Sequence, residues 1–449
     1  MGKLRRNVGS CGRSIRRAHS RLEHLVKFFD VVSRRWLAVA AISIAVLPGP
    51  LNAAEEMEVG IAPVKVGAGP FYFATAEQSD IRVDILARGL AHGYSLAFLP
   101  NGDALIVERG VRLRLLRNAI GANPTLVETP VAGAPDFSSS EHIHPDDVLG
   151  IQDVALHPDF SKNHLVYYTF NRPVGFDAEG KRLDVVTVLA RAKLQDLRLV
   201  DAQDLVVGEA VHGAGGSRIL FGKDNMVYVA VGALSIGDID SAQRTDNIYG
   251  KVLRVKTDGG IPDDNPFVKV KGARTEIYTF GHRDPLGIAI DGRSGSIVAS
   301  EHGPQGGDEV NRILPGRNYG WPKYTYGTEY GGSPLPTAPV GPDTEPPLMI
   351  WMPAIAPNGI AFYDADKIPA WKNNLFIASA RRGEVNGTGA LLRVVLNDKL
   401  QETRQESLLD SLHQRFKDIR QGPDGLLYAL TDEDNSVLMR ISPRPRQPH

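Results

Sequence analysis

Apolar and polar positions alternate along most of this chain, and one kind of punctuation keeps interrupting them. An apolar pair, a turn built from Pro, Asp, Gly or Asn, and a second apolar strand appear in "SLAFLPNGDALIVERG" from Ser95. The same order recurs in "DVALHPDFSKNHLVYYTF" from Asp153 and "RILFGKDNMVYVAVG" from Arg218. It returns in "GIAIDGRSGSIVASEHG" from Gly287, "GIAFYDADKIPAWKNNLFIASARRG" from Gly359 and "DIRQGPDGLLYALTD" from Asp418. Each copy predicts a β-hairpin, because the tip residues tolerate or preset turn dihedrals and the flanks repeat with period two. A lone hairpin cannot bury its apolar face. Six copies spaced by roughly 60 to 70 residues, each with room for two further strands, predict an all-β, six-bladed β-propeller with long decorating loops. A large β-sandwich or two β-domains are the alternatives this pattern leaves open. A propeller would bring loops that are distant in sequence to the mouth of one central channel, so site residues are sought one or two per repeat.

The first 54 residues follow a different pattern. "MGKLRRNVGSCGRSIRRAHSRLEHLVKFFDVVSRR" is basic and polar, and "WLAVAAISIAVLPGPLNAAEE" is an apolar run that ends in small residues before acids. That is the order of a secretory signal. The run from Trp36 to Leu47 is shorter than the roughly 20 residues a membrane span needs. We therefore expect a leader and signal peptide over 1–54, cleavage near Ala53 or Ala54, an N-terminal extension over 55–84 and the propeller over 85–443. An exported, periplasmic protein with no stable membrane insertion is expected. Cys11 is the single cysteine and lies in the leader, so the mature chain would hold no disulfide or thiolate metal site.

Composition narrows the partners. Charged residues make up 23% and the net charge is −1, which argues against nucleic acid as a ligand. Nothing matches a phosphate-binding loop, a dinucleotide fingerprint or a nucleophile elbow.

Several stretches carry candidate chemistry. "SEHGPQGGDEVNRILPGRNYGWP" from Ser300 crowds glycines around the adjacent acids Asp308 and Glu309. Such a bent loop turns carbonyls and carboxylates inward, the hard-oxygen set calcium prefers, although a solvated acidic turn has the same residues. "GHRDPLG" places Arg283 before the fourth repeat, where it could grip a carboxylate or pair with a structural acid. Arg381, Arg382, Arg415 and Lys417 follow blades five and six; cations converging on a channel mouth suit a polyanionic ligand, and ordinary salt bridges are the alternative. His212, in "VHGAGGSR", is a candidate general base or a plain loop histidine. His142 and His144 in "SEHIHPDD" are a weak metal pair.

These stretches also carry a resemblance. "LAFLPNGDALIVERG", "DVALHPDF", "DNPF", "GHRDPLG", "EHGPQGGDEVN", "NYGWP", "IAPNGIAFY" and "DIRQGPDGLLYALTD", in this order, resemble the soluble glucose/sorbosone dehydrogenase family, the PQQ-dependent aldose sugar dehydrogenases. The resemblance runs from about residue 85 to 440. It implies a six-bladed propeller that binds pyrroloquinoline quinone and calcium and oxidises an aldose to its lactone. A histidine takes the hydroxyl proton while hydride passes to the quinone. Carried over residue by residue, it implies His212 as base, and Arg283, Arg381, Arg415 and Lys417 as clamps on the cofactor carboxylates, with Trp351 lining the pocket. Carbonyls of Gly303 and Pro304 would touch the cofactor's calcium, and Asp308 and Glu309 would hold this loop or a second, structural calcium. A sugar substrate, an electron acceptor and a monomeric or homodimeric state complete the implied partners.

The chain departs from the family pattern at named positions. Val148 stands where a cofactor-contacting Gln belongs, and Asp284 and Leu286 replace two amides. Ala233 replaces the Asp that supports the base. The base is expected four residues before Arg218, where Ala214 stands; His212 lies six before it, and a two-glycine insertion would bring it back. Two other readings are therefore carried: a propeller that binds a ligand without redox turnover, and a calcium-dependent lactonase-type hydrolase.

Overall fold

The computed structural model describes residues 60–76, 80–109, 112–136, 149–176, 183–233, 238–328 and 338–444 of the 449-residue chain. Residues 1–59, with the expected leader and signal peptide, and His142, His144 and Val148 lie outside the described residues. The fold is a six-bladed β-propeller. Its innermost strands are Gly93–Phe98, Gly150–Leu156, Ser217–Phe221, Pro285–Ile290, Pro357–Phe362 and Phe416–Gln421, here numbered blades 1 to 6. Each is followed by an antiparallel partner, as the six hairpins predict: Ala104–Glu108, Leu165–Phe176, Val227–Val231, Ile297–Glu301, Leu375–Ser379 and Leu427–Thr431.

The turn chemistry explains why the repeats were readable. In blades 3 and 6 the tips "DNMVY" and "DGLLY" fold alike. The Asp224 and Asp424 carboxylates accept the backbone N–H of Met226 and Leu426, each at 3.2 Å. Their other oxygens accept from Tyr228 and Tyr428 hydroxyls at 2.9 and 2.8 Å. Gly425 and Asn225 take the positive φ these turns need, 77° and 60°. The second strands are buried throughout, as in Ala104–Glu108 and Val227–Val231, because each blade is packed between two others. Outer strands face water; Glu402–Leu408 is exposed over its first four residues.

The expected extension over 55–84 does not stand apart from the propeller. Asp80–Leu90 pairs antiparallel with Ser436–Arg444 as an outer strand of blade 6, and Phe71–Phe73 adds to it. The last blade thus takes strands from both ends of the described chain, which closes the ring and leaves no unpaired blade edge at the seam. No helix among the described residues is long and apolar enough to cross a membrane.

The channel is plugged by polar side chains that tie blade to blade. Arg218 is 1% exposed. Its Nε donates to the Leu286 carbonyl at 2.7 Å, and its Nη2 to the carbonyls of Tyr94 and Lys417 at 3.1 and 3.2 Å. Nη1 faces Asp153 Oδ1 at 3.5 Å and Asp418 Oδ1 at 3.7 Å. Those carboxylates reach across seams with their second oxygens. Asp153 accepts from Ile219 N–H at 2.7 Å, and Asp418 from Leu96 N–H at 3.0 Å. One guanidinium thus joins blades 1, 2, 3, 4 and 6. Removing one partner of a buried ion cluster strands the others without compensation. Arg218→Met should lower unfolding stability by about 3–5 kcal/mol in a urea titration; a loss under about 1 kcal/mol would show that Arg420, 3.5 Å from Asp153 Oδ1 and 2.9 Å from Asp418 Oδ2, alone satisfies both acids.

Candidate active site

At one end of the channel the fourth blade supplies the loop 302–307, which follows strand Ile297–Glu301 and returns into Asp308–Arg312. Asp308 holds it shut. Its Oδ1 accepts the Gly303 N–H at 2.8 Å, and its Oδ2 accepts the N–H groups of Ile355 and Ala356 at 2.6 and 2.7 Å. Burial raises this carboxyl to about 6, against the pull of those three amides. With both oxygens engaged by amides, Asp308 positions the loop. Gly303 is required by space: a Cβ there would meet the Gly306 and Gly307 carbonyl oxygens at 2.3 and 2.4 Å.

Glu309 is differently placed. Its Oε2 accepts from Asn311 Nδ2 at 2.9 Å, and the same amide donates to Glu301 Oε1 at 2.5 Å. Burial and the Glu301 carboxylate push Glu309 well above the usual range. It borders a small cavity of about 10 Å³ together with Glu301, Gly303, Tyr319, Tyr324 and Thr325. Among the described residues no three His, Cys, Asp or Glu side chains are grouped to hold a metal. A calcium ion at this loop would therefore depend mainly on backbone carbonyls, those of Gly303 and Pro304 included.

Arg283 precedes the innermost strand of blade 4. Glu301 Oε2 accepts its backbone N–H at 2.8 Å, its Nη1 donates to the His302 carbonyl at 3.2 Å, and its guanidinium lies 5.2 Å from the Trp321 ring centre. Its Nε is buried with no hydrogen-bond partner. Glu301 in turn accepts from His282 Nδ1 at 3.1 Å, while Thr279 donates its hydroxyl to His282 Nε2 at 2.9 Å. Lys417, on the innermost strand of blade 6, donates to Asn358 Oδ1 at 2.8 Å and sits 4.4 Å from the Tyr94 ring centre. Burial lowers its ammonium to about 7; Asp432 opposes the shift, and Arg218, Arg109 and Arg415 add to it.

The charges of the four expected cations all act on one further residue, His302. His302 has a buried Nε2 with no hydrogen-bond partner. Burial, then Lys417, Arg283, Arg415 and Arg381, hold its imidazole well below the usual histidine range, so it is neutral at pH 7. Arg381 is steadied by Glu384 at 2.6 Å. Beside Arg415 a cavity of about 420 Å³ opens, bordered by Lys65, His92, Arg109, Asp432 and Glu433. Asp432 is the main counter-charge. Burial works to raise its carboxyl, but the His92 hydrogen bond with Lys417, Arg109 and Arg415 outweighs it and holds the group well below the usual range. His302, Arg109 and Asp432 escaped notice because "EHGP", "VERG" and "LTDED" were read for loop shape and turn signals.

Two expected residues are placed elsewhere. Trp351 ends the outermost strand of blade 4, and its indole Nε1 donates to Gln405 Oε1 at 3.2 Å. Its ring belongs to the apolar cluster between blades 4 and 5, and Trp321 is the indole that meets Arg283. His212 sits on the two-residue strand Val211–His212, which pairs with Asp184 and Val185 on an outer strand of blade 2. Ala214 and Ala233 are both buried in one apolar cluster of blades 2 and 3.

Asp284 lies between those two alanine segments. Its Oδ1 accepts the Gly216 N–H at 3.0 Å, and a Cβ at Gly215 or Gly232 would meet that oxygen at 2.6 or 2.0 Å. Its carbonyl accepts the His302 N–H at 3.1 Å. Burial raises its carboxyl; Arg283, the Gly216 amide and Lys417 oppose the rise, and Glu301 favours it.

One buried lysine sets the position of Arg283 from below. Lys251 Nζ donates to the carbonyls of Ser241, Ala242 and Tyr249, the first two at 3.0 and 3.1 Å. The Ala242 carbonyl also accepts the Gly281 N–H at 2.9 Å, and Gln243 Nε2 donates to the Trp321 carbonyl at 2.7 Å. Burial lowers Lys251 to about 7 from 10.5. The unfolded chain then binds more protons between those values, so linkage makes stability rise as pH climbs from about 7 to about 10.5. Thermal denaturation of the ligand-free protein should show that rise, and Lys251→Met should flatten it.

Comparison with known proteins gives the family and the fold. The family model for glucose/sorbosone dehydrogenase matches residues 90–440. The aldose sugar dehydrogenase YliI of Escherichia coli is 35% identical over 379 residues, covering 82% of this chain and 95% of its own. Quinoprotein glucose dehydrogenase B of Acinetobacter calcoaceticus is 27% identical over 444 residues, covering 82% and 89%. The crystal structure of the soluble aldose sugar dehydrogenase from Escherichia coli, in its apo form, superposes with a TM-score of 0.71 at 32% identity, over 81% of this chain and all of that one.

Proposed function

Because this chain belongs to the glucose/sorbosone dehydrogenase family, we propose that it is an exported, PQQ-dependent dehydrogenase that oxidises an aldose hydroxyl to the lactone. The observation that carries this reading is the pair of buried, unpartnered atoms His302 Nε2 and Arg283 Nε, joined by the Arg283 Nη1 bond to the His302 carbonyl, in a region whose charge is set by Arg283, Arg381, Arg415 and Lys417. Positive charges that Asp432 and Glu384 offset only in part raise the energy of the free protein, and a tricarboxylate ligand relieves it. The orphaned Nε of Arg283 and Nε2 of His302 are the buried polar atoms such a ligand would satisfy. The quinone supplies the two-electron acceptor and the calcium polarises it; the protein binds, orients and excludes water. Arg283, pressed against Trp321, fixes one carboxylate, Lys417 and Arg415 grip the others, and the Gly303–Pro304 bend offers carbonyls to the metal. Sugar and electron acceptor would approach through the open mouth, and the molecule would act as a monomer or homodimer in the periplasm.

A non-redox binding propeller shares the cations but not the need for a hydride acceptor. Fluorescence titration of the apo-protein with PQQ and calcium, followed by dye reduction with glucose, separates the two. Saturable micromolar PQQ binding with dye reduction is expected; binding without reduction favours the binding propeller, and no binding sinks the cofactor assignment. Since Lys417 titrates near 7 in the free protein, PQQ affinity should weaken above about pH 7, approaching tenfold per unit as that proton must be taken up. Arg283→Ala should weaken PQQ at least tenfold and leave the melting temperature nearly unchanged, since the charge loss relieves repulsion in the free protein.

A further inference from the structure

We propose that Asp284, through its Oδ2, accepts the sugar's hydroxyl proton in this protein, an inference that rests on the dehydrogenase reading above. The resemblance places a histidine and its supporting aspartate where this chain has Ala214 and Ala233, and both alanines are buried in one apolar cluster. The Asp284 carboxylate stands beside the adjoining glycines, Gly215 and Gly232, close enough that neither position has room for a side chain. An acid has therefore come into the seam from blade 4 where the acid–base pair of blade 3 is missing. Its Oδ1 is pinned by Gly216, and its Oδ2 makes no hydrogen bond to a described residue.

The carboxylates of Asp308, Glu301 and Asp432 are committed. Asp308 holds three amides, and Glu301 holds the Arg283 amide, His282 and Asn311. Asp432 is hydrogen-bonded to His92 and too weak a base beside three cations. His302 is the rival acceptor. Protonating it would add a fifth positive charge to Arg283, Arg381, Arg415 and Lys417, whereas protonating Asp284 creates no charge. The groups facing Asp284 are Arg283 and Glu301 of blade 4, Lys417 of blade 6, Tyr94 of blade 1 and the Gly216 amide of blade 3. In the balanced step the sugar's O–H bond breaks and its proton goes to Oδ2. The adjacent C–H bond breaks with its electron pair, and that hydride passes to the quinone. The sugar gains a C=O bond and is oxidised by two electrons, and the quinone is reduced by two.

The test uses the PQQ- and calcium-loaded protein with glucose and a dye acceptor, and the apo-protein alongside. Asp284→Asn is close in shape, so its melting temperature should stay near wild type. Its PQQ affinity should hold or improve, because a negative charge beside an anionic cofactor is gone. Its kcat should fall about 10²- to 10⁴-fold, the usual worth of a positioned base, and the acid limb of the kcat profile should vanish. In the apo-protein, difference infrared spectroscopy should show a carboxyl titration that is lost in Asp284→Asn. Turnover of Asp284→Asn within threefold of wild type overturns the inference while leaving the dehydrogenase reading intact. So does an acid limb that disappears in His302→Gln or His212→Ala but persists in Asp284→Asn. Wild-type protein that neither binds PQQ nor reduces the dye overturns both.

Discussion

Everything at the channel mouth is referred to one buried guanidinium. Arg218 reaches the carbonyls of blades 1, 4 and 6 and faces acids from blades 2 and 6. A propeller has no central hydrophobic core of its own; its apolar clusters lie between adjacent blades. The six sheets therefore need a polar hub to fix their mutual tilt. The residue after Tyr94, the strand start at Leu286 and the Lys417 backbone are all set by that hub, and the cationic pit is built directly on these three points. A buried cluster of this kind adds little net stability, but it admits only one arrangement of the blades.

The mouth itself is made of unresolved charge. The charges of four basic side chains act on His302, while the acids near them are turned to other tasks: Asp308 to amides, Glu301 to His282 and Arg283, Asp432 to His92. Burial brings Lys417 to the edge of losing its proton. Evolution for stability alone would have placed a carboxylate in the gap. The strain persists because hubs below and loops behind hold the groups in place, a pattern expected where binding energy is to come from relief of repulsion.

The scaffold was legible because it repeats. Six turn-and-strand signatures, down to the shared Asp–Tyr pair of "DNMVY" and "DGLLY", announce six hairpins through purely local chemistry. The closing strand Asp80–Leu90 was not legible, since its partner lies some 350 residues away and pairing over that distance leaves no local trace. The four cations were found because charge near a strand end survives in the sequence as composition. Trp351 and Trp321 could not be told apart: Trp351 ends a strand and Trp321 sits in a turn, and tertiary packing decides which ring meets Arg283 and which donates to Gln405. His302 was hidden inside a stretch whose glycines and acids drew attention to a metal.

The alanines at 214 and 233 and the acid at 284 make most sense as one event. A buried carboxylate is tolerated only where space, a hydrogen bond and nearby positive charge meet. Here Gly215 and Gly232 supply the space, Gly216 the hydrogen bond, and Arg283 with Lys417 the charge. A histidine and aspartate on blade 3 would fill the same seam, so the two arrangements compete for one volume. The glycine-rich loop at 302–307 and the basic residues keep the pattern of the family, while the seam between blades 3 and 4 has lost its histidine and aspartate and gained an acid from blade 4. Substitution at that one spot, with the hub and the clamps untouched, is what a shift of the acid–base group within a conserved redox scaffold requires.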